Sequence, residues 1–566
     1  MTDRKFQQYV ERLHSGRINR RRLLGSVAAT AVVAPALIAS NGGVGAASPA
    51  AAPRRQIDAS TLVIADNLRD TWITLDPGWI YEINSQAGMI LNYEPLYILP
   101  DSSKPTEFEP LLATDMPAVS DDGLEVTIPL RSGVKFHSGN EMTADDLVFS
   151  WTRLKNIKFQ ASFLALDYWD SVEAVDPLTV KITLKSPNAA IVPILASTPL
   201  SISDSKLLKE NGATDAEDAD QTDTAREWIN AGNSAGTGPF KLTAWDIEGE
   251  VVLEKNPDYW GEPAKLDRII WRNIVDPNSQ LQAVQAGEAD LAYSLDPDIA
   301  GSVTEDETLQ LITGPSLAIE YLAMHTQEDP GGPIANALVR RAIGHAIDYD
   351  GIINDLMKGA AIQPATIAPE PLLATVEVQD QKYVTDLDMA QQLFEESGVG
   401  PVELTFSYAA GSFGEGGLDL ETLCTKLQAD IQQIDGLTVK LNPMDPAVRL
   451  EDYRAGKLQF TVSGWTPDYT DIHTYAEPFG RTDTAAAKRV GYSNPDVDAM
   501  LDAGIAELDP AARVAIYSDI LGQIIEDSAF LVLYQPLDQK AARTTVQDVA
   551  THSVYMLFLR NASKTE

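Results

Sequence analysis

The chain has 566 residues, 44% hydrophobic and 22% charged, with 43 Lys+Arg against 82 Asp+Glu and a single Cys. That length predicts several domains of ordinary globular composition, and one cysteine excludes an internal disulfide. A net charge of −39 argues against nucleic acid or anionic lipid surfaces as partners; it suits cationic ligands, high solubility or a salt-rich habitat.

Residues 1–46 depart from this composition. Arg20, Arg21 and Arg22 precede a weakly apolar run interrupted by Gly25 and Pro35, and a V-x-A site follows at Val44–Ala46. The pattern predicts a secretory signal of the twin-arginine type over 1–46, then a Pro/Ala linker over 47–56. The run is too short and too broken for a membrane anchor. No cysteine precedes Cys424, so export without a lipid anchor on an N-terminal Cys is expected.

Beyond the linker, short alternating strands and amphipathic helices interchange, which predicts α/β layers. LEVTIPL (124–130) alternates as a strand. In MTADDLVFSWTRL, Thr143 is placed as an N-cap with Asp146 completing a capping box, and Leu147, Trp151 and Leu154 form the apolar face. TVKITLK (179–185) alternates again. ENGATDAEDADQTDTAR (210–226) reads as a solvated acidic loop, and FKLTAWDIEGEVVLEKN as a hairpin turning near Glu248-Gly249. Cys424 shares a helical face with Leu420, Leu423, Leu427 and Ile431, which makes it a buried small hydrophobe.

An internal repeat organises the rest. DPNSQLQAVQAGEADLAYS begins at Asp276 and DPAVRLEDYRAGKLQFTVS at Asp445. Each opens with an Asp N-cap and a Pro at the first helical position. Leu281 and Leu450, Val284 and Tyr453, and the pairs Ala286-Gly287 and Ala455-Gly456 fall at equal offsets. DRIIWRNIV precedes one copy and LTVKLNPM the other, so each copy reads as a β-α-β unit within an open α/β sheet. Such sheets take ligands beyond the carboxyl ends of their strands. SGWTPDYTD (463–471) begins at the end of the second copy's last strand, and SLDPDIAG (294–301) is its counterpart. Facing lobes would bring both loops to one cleft.

With these motifs in place the chain resembles extracellular solute-binding proteins of ABC transporters, family 5, the group with oligopeptide-, dipeptide- and nickel-binding members. The resemblance runs through LDPGWIYEINSQAGMILNYEPL (75–96), the block from Leu130 to Phe149, GTGPFKLTAW, EKNPDYWG, VRRAIGHAID and SGWTPDYTD. It implies an α/β, two-lobed periplasmic-binding-protein fold (type II, cluster C) with an additional family-specific domain. Lobe I would comprise 57–98, 230–320 and 534–566, domain II 99–229, and lobe III 321–533. Hinge strands would lie near IEYLAMHT and AFLVLYQP.

In peptide-binding members the acidic residue of a G-W-x-x-D segment accepts the ligand's α-ammonium; Gly464, Trp465 and Asp468 match those positions. Tyr81 and Tyr534 are further lining candidates, each equally compatible with packing or exposure. Asp471 is followed by Ile472-His473 where peptide binders often have Pro, and His473 is expected at the surface. The resemblance implies a peptide or other small-molecule ligand, membrane ABC permease subunits as partners and a monomer. An oligosaccharide or a metal–chelator complex is the alternative ligand on the same fold, and an exported carboxylate-dependent hydrolase the remote alternative. No H-E-x-x-H or P-loop pattern occurs, so no catalytic residue, metal or cofactor is expected.

Overall fold

The computed structural model describes residues 57–565 apart from 296, and the signal and linker expected over 1–56 lie outside the described residues. The two copies of the repeat fold alike. In the first, strand Arg268–Asn273 leads to helix Pro277–Ala286, then to strand Leu291–Ala292. In the second, strand Leu437–Met444 leads to helix Pro446–Arg454, then to strand Phe460–Trp465. The Asp276 side chain accepts the Ser279 N–H, and Asp445 accepts those of Ala447 and Val448. These carboxylates satisfy N–H groups that a helix start leaves without partners. Gly287 and Gly456 take positive φ (73° and 67°) at the turns that end the helices, a conformation glycine adopts without steric cost.

The buried helix face differs in detail from the sequence pattern. Val284 and Tyr453 are buried at the same offset, but Leu450 is exposed where Leu281 is covered. The common buried position lies one residue earlier, at Gln280 and Arg449. Gln280 donates to the Ile274 carbonyl and accepts from Ser294 N–H. Arg449 donates to Thr461 Oγ1 and the Val462 carbonyl. Each polar side chain thus ties its helix to a flanking strand, which a hydrophobic-periodicity reading does not detect.

Both units share a topology that the repeat alone does not reveal. Strand Thr61–Asp66 lies between the two strands of the first copy, parallel to both. Strand Val402–Ala409 lies in the same way between those of the second. Beyond them, Leu291–Ala292 pairs antiparallel with the long strand Phe530–Arg543, and Phe460–Trp465 pairs antiparallel with Ile319–Met324. The strand Ile319–Met324 also pairs with the first part of Phe530–Arg543, so one sheet runs through both lobes with mirrored strand order.

The chain crosses between the lobes twice. The crossings fall at one end of each expected hinge strand, around Ser316 and around Gln535–Leu537. There the Gln535 amide donates to the Ser316 carbonyl and Ser316 Oγ to the Pro536 carbonyl, both at 2.7 Å.

The segment between Leu96 and Ile229 carries a four-stranded antiparallel sheet of Ala118–Val119, Glu125–Pro129, Thr179–Leu184 and Trp169–Asp176. Helix Ala144–Ile157 backs it, and the Thr143/Asp146 capping box is formed. Val126, Ile128, Val180 and Ile182 pack with Leu147, Trp151 and Leu154 in one core, while Phe149, Leu208, Ala225 and Ile229 lie in the core of lobe I.

One ion cluster ties this sheet-bearing segment to lobe I. Arg153 makes a bidentate pair with Asp76 (2.6 and 2.7 Å) and a second with Asp223 (2.7 and 2.8 Å), all three side chains being buried. Asp223 therefore corrects the solvated-loop reading of 210–226: a partner 70 residues away draws that end inward, and short helices cover Ser205–Glu210, Ala219–Thr222 and Ala225–Ile229. Removing one member of a buried pair leaves charge without compensation. Arg153→Met should lower stability by about 3–5 kcal/mol in thermal unfolding; a change within error would show that the cluster contributes little.

Candidate functional site

The carboxyl ends of three strands, two paired with each other in lobe III and one in lobe I, lead to the place where the lobes meet. Strand Phe460–Trp465 leads into the Asp468 turn, Val402–Ala409 into the loop carrying Glu415, and Thr61–Asp66 into the segment ending at Tyr81. That last segment is held by the Arg153 pair: Asp76 also accepts the Gly78 N–H at 3.0 Å. A side chain at Gly78 would meet Ile157 Cδ1 at 2.7 Å and Arg153 at 3.0 Å, so glycine permits the close approach.

The Tyr81 hydroxyl donates to Asp468 Oδ1 at 2.8 Å across 387 residues of sequence. Tyr81 stays 38% exposed, so the contact sits at an opening rather than in a sealed core. Two further contacts join the same region of lobe III to the antiparallel-sheet segment. The Tyr168 and Tyr469 hydroxyls lie 3.2 Å apart, and the Ala189 N–H donates to the Ile505 carbonyl at 2.8 Å. Lobe III is thus closed against its neighbours.

The two aspartates of SGWTPDYTD have different electrostatic surroundings. Asp471 is buried and held bidentate by Arg513 at 2.6 and 2.8 Å. Asp468 makes no ion pair among the described residues; its side chain meets only the neutral Tyr81 hydroxyl. Burial raises its pKa, and the Tyr81 hydrogen bond offsets only part of that shift. A carboxylate enclosed without a cation favours any ligand that brings one.

The remaining candidates occupy distinct positions. Trp465 is partly buried and packs edge-on against Phe479, centroids 5.2 Å apart, with the Arg489 guanidinium 5.8 Å from its ring centre. Its indole N–H is buried without a hydrogen-bond partner among the described residues. Gly464 lies opposite Glu320 in the sheet, and a side chain there would place Cβ 2.5 Å from Glu415 Oε1. Tyr534 is fully buried and donates to the Glu415 carbonyl at 3.0 Å, supporting the Glu415 loop from beneath. His473 corrects the surface expectation: it is buried against Tyr517, whose hydroxyl lies 2.8 Å from Nδ1. Burial pushes its pKa down to about 4. Of the counterpart loop, Asp296 is outside the described residues, and Tyr293 is buried with Lys540 4.2 Å from its ring centre.

Sequence reasoning missed Glu320 and Glu415. Glu320 is buried and accepts the Glu415 N–H at 2.8 Å. Burial and the nearby Glu415 carboxyl push it up to about 8; burial pushes Glu415 up to about 7. Neither sits in a recognisable motif, and only the Gly-rich stretch GSFGEGG hinted at a close backbone approach. Among the described residues no group of three or more His, Cys, Asp or Glu is placed to hold a metal ion, and no helix is long and apolar enough to cross a membrane.

A carboxyl whose pKa is raised on folding stabilises the fold below its unfolded value, and loses that contribution as pH rises through its folded value. For Glu320 the window runs from about 4.5 to about 8. Between pH 5 and 8 the wild-type melting temperature should therefore fall more steeply than that of Glu320→Gln. Parallel curves would contradict the protonated state of Glu320.

Residues 107–487 match the family model of bacterial extracellular solute-binding proteins, family 5. The chain is 27% identical over 478 residues to the probable D,D-dipeptide-binding periplasmic protein DdpA of Escherichia coli, covering 84% of this chain and 88% of that protein. It is 28% identical over 429 residues to the glutathione-binding protein GsiB of Pectobacterium atrosepticum, covering 73% and 78%. Its fold is similar to that of the ABC transporter-associated periplasmic binding protein DppA of Helicobacter pylori in complex with the peptide STSA. That match has a TM-score of 0.70 at 23% identity, over 89% of this chain and 98% of that one. The two-lobed architecture and the match across most of the sequence place the chain among the bacterial extracellular solute-binding proteins of family 5.

Proposed function

We propose that the protein is the non-catalytic substrate-binding component of an ABC importer, capturing a peptide between its lobes and delivering it to a membrane permease. The observation that carries this reading is the Asp468 carboxylate: it is partly buried, its pKa is raised by burial, and among the described residues its side chain is held only by the neutral Tyr81 hydroxyl. A peptide α-ammonium supplies the missing charge. Charge-assisted hydrogen bonds of this kind contribute on the order of 1.5–3 kcal/mol.

The dipeptide, glutathione and peptide STSA in the names of the similar proteins support a peptide ligand. A metal–chelator complex fits less well, because its anionic face would meet Asp468 and Glu415. Residues 1–46 supply the export signal in this reading, and the protein works outside the cytoplasm as a monomer.

Closure follows from differential affinity: a ligand that touches both lobes binds the closed form more tightly and shifts the population towards it. The Tyr81 hydroxyl supports the ammonium site from lobe I, Gly464 makes room for the Glu415 side chain, and Trp465 shields that side from water. The test is calorimetric binding of a peptide series to the wild type and to Asp468→Asn. The variant should lose about tenfold or more in affinity for peptides with a free N-terminus and little for their N-acetylated forms. Equal losses for both would reject the ammonium assignment.

A further inference from the structure

Several buried carboxylates meet cations directly: Asp76 and Asp223 meet Arg153, Glu94 meets Arg560, Asp290 meets Lys564 and Asp471 meets Arg513. Others accept hydrogen bonds from neutral groups, as Asp66 does from Trp72, Asp146 from Ser205, Asp204 from Ser138 and Asn140, and Glu320 from the Glu415 N–H. Glu415 stands apart. Among the described residues neither of its carboxylate oxygens accepts a hydrogen bond or lies in an ion pair, although its own N–H and C=O are both engaged, by Glu320 and Tyr534. Part of the residue's surface stays open, yet protein surrounds the carboxyl closely enough to push it up to about 7.

Its position is built rather than incidental. Glu320 and Tyr534, opposite each other in the two strands that link the lobes, hold the Glu415 backbone from both sides. Gly464 provides the space its side chain fills, with Oε1 2.5 Å from where a Cβ would be. Gly416 takes φ 76° with Pro536 and Met357 packed where a side chain would be, which fixes the loop against the strand that crosses between the lobes. The buried Trp465 indole N–H beside Gly464 has no partner among the described residues either. Glu415 lies against Gly464, which is at the end of strand Phe460–Trp465 and four residues before Asp468, so the two carboxyls belong to one strand-end region. Two arginines lie in this region, Arg489 with its guanidinium 5.8 Å from the Trp465 ring centre and Arg449, which interacts with Glu320 and is bonded to Thr461 and Val462; among the described residues neither forms an ion pair with Glu415 or Asp468.

We propose that Glu415 is a specificity-determining residue that recognises a second cationic group on the ligand, so that the protein selects peptides bearing a basic side chain. The proposal rests on the peptide reading of the Asp468 site. One α-ammonium compensates one carboxylate; the unpaired Glu415 then favours a ligand with a further ammonium or guanidinium over an otherwise equal neutral one.

The test is competition by native mass spectrometry on protein freed of retained ligand. The pool holds di- and tripeptides with free N-termini, each lysine peptide matched to its norleucine counterpart, which keeps the chain and lacks the charge. Wild type should favour the lysine member of its best-bound pair by about tenfold or more. Glu415→Gln should bring that ratio near one while binding the norleucine member as before; Glu415→Asp, which keeps the charge, should retain a preference. Asp468→Asn should weaken both members of the pair. Binding of the pool without a lysine preference, or a preference that survives in Glu415→Gln, would overturn the role of Glu415 alone. Failure of every pool member to bind would overturn the peptide reading and this proposal with it.

Discussion

The arrangement at the lobe junction depends on a charge that no described residue neutralises. Enclosing a carboxylate without a counter-charge costs several kcal/mol, and elsewhere in the fold Arg153, Arg513, Arg560 and Lys564 meet that need. At Asp468 and Glu415 no such cation is present among the described residues, and Tyr81 offers only a neutral hydrogen bond. A core built this way would be destabilised without return. In a binding protein the same deficit becomes affinity, because the ligand supplies the missing charge.

The surrounding fold keeps that deficit in place. Arg513 and Asp471 fix the far end of the Asp468 turn, and the Arg153 cluster fixes the segment that carries Tyr81. Both anchors are bidentate and buried, so the two ends of the Tyr81–Asp468 contact are each held by their own lobe. Neither anchor spans the junction. A lobe movement would break one hydrogen bond there, together with the Tyr168–Tyr469 and Ala189–Ile505 contacts, without disturbing either anchor. The mirrored sheet places the crossing points beside the same site, and Glu320 and Tyr534 link those strands directly to the Glu415 loop.

Much of this was legible in the sequence where the signal is local. Asp-Pro helix starts and Ala-Gly ends gave the two β-α-β units, since caps and positive-φ turns depend on few residues. The placement of SGWTPDYTD at a strand end followed from that repeat. Long-range pairing was not legible. Asp223 lay in an acidic stretch that composition assigns to solvent, and only Arg153 draws it inward. His473 is buried because its neighbour Asp471 is anchored by Arg513, 42 residues away. Gln280 and Arg449 occupy the common buried position of the repeat helices although both are polar. Glu415 illustrates the same limit: nothing in GSFGEGG marks a carboxylate that fills the space at Gly464 and meets no partner among the described residues.

The central claim is that the junction of the lobes is an anionic site completed by a cationic ligand. A crystal structure of the protein purified with whatever ligand it retains tests this most directly. The claim predicts a ligand nitrogen within hydrogen-bond distance of an Asp468 carboxylate oxygen, between the lobes and beside Tyr81. A retained ligand that presents a carboxylate or an uncharged apolar group to Asp468, or that sits away from the junction, would contradict it.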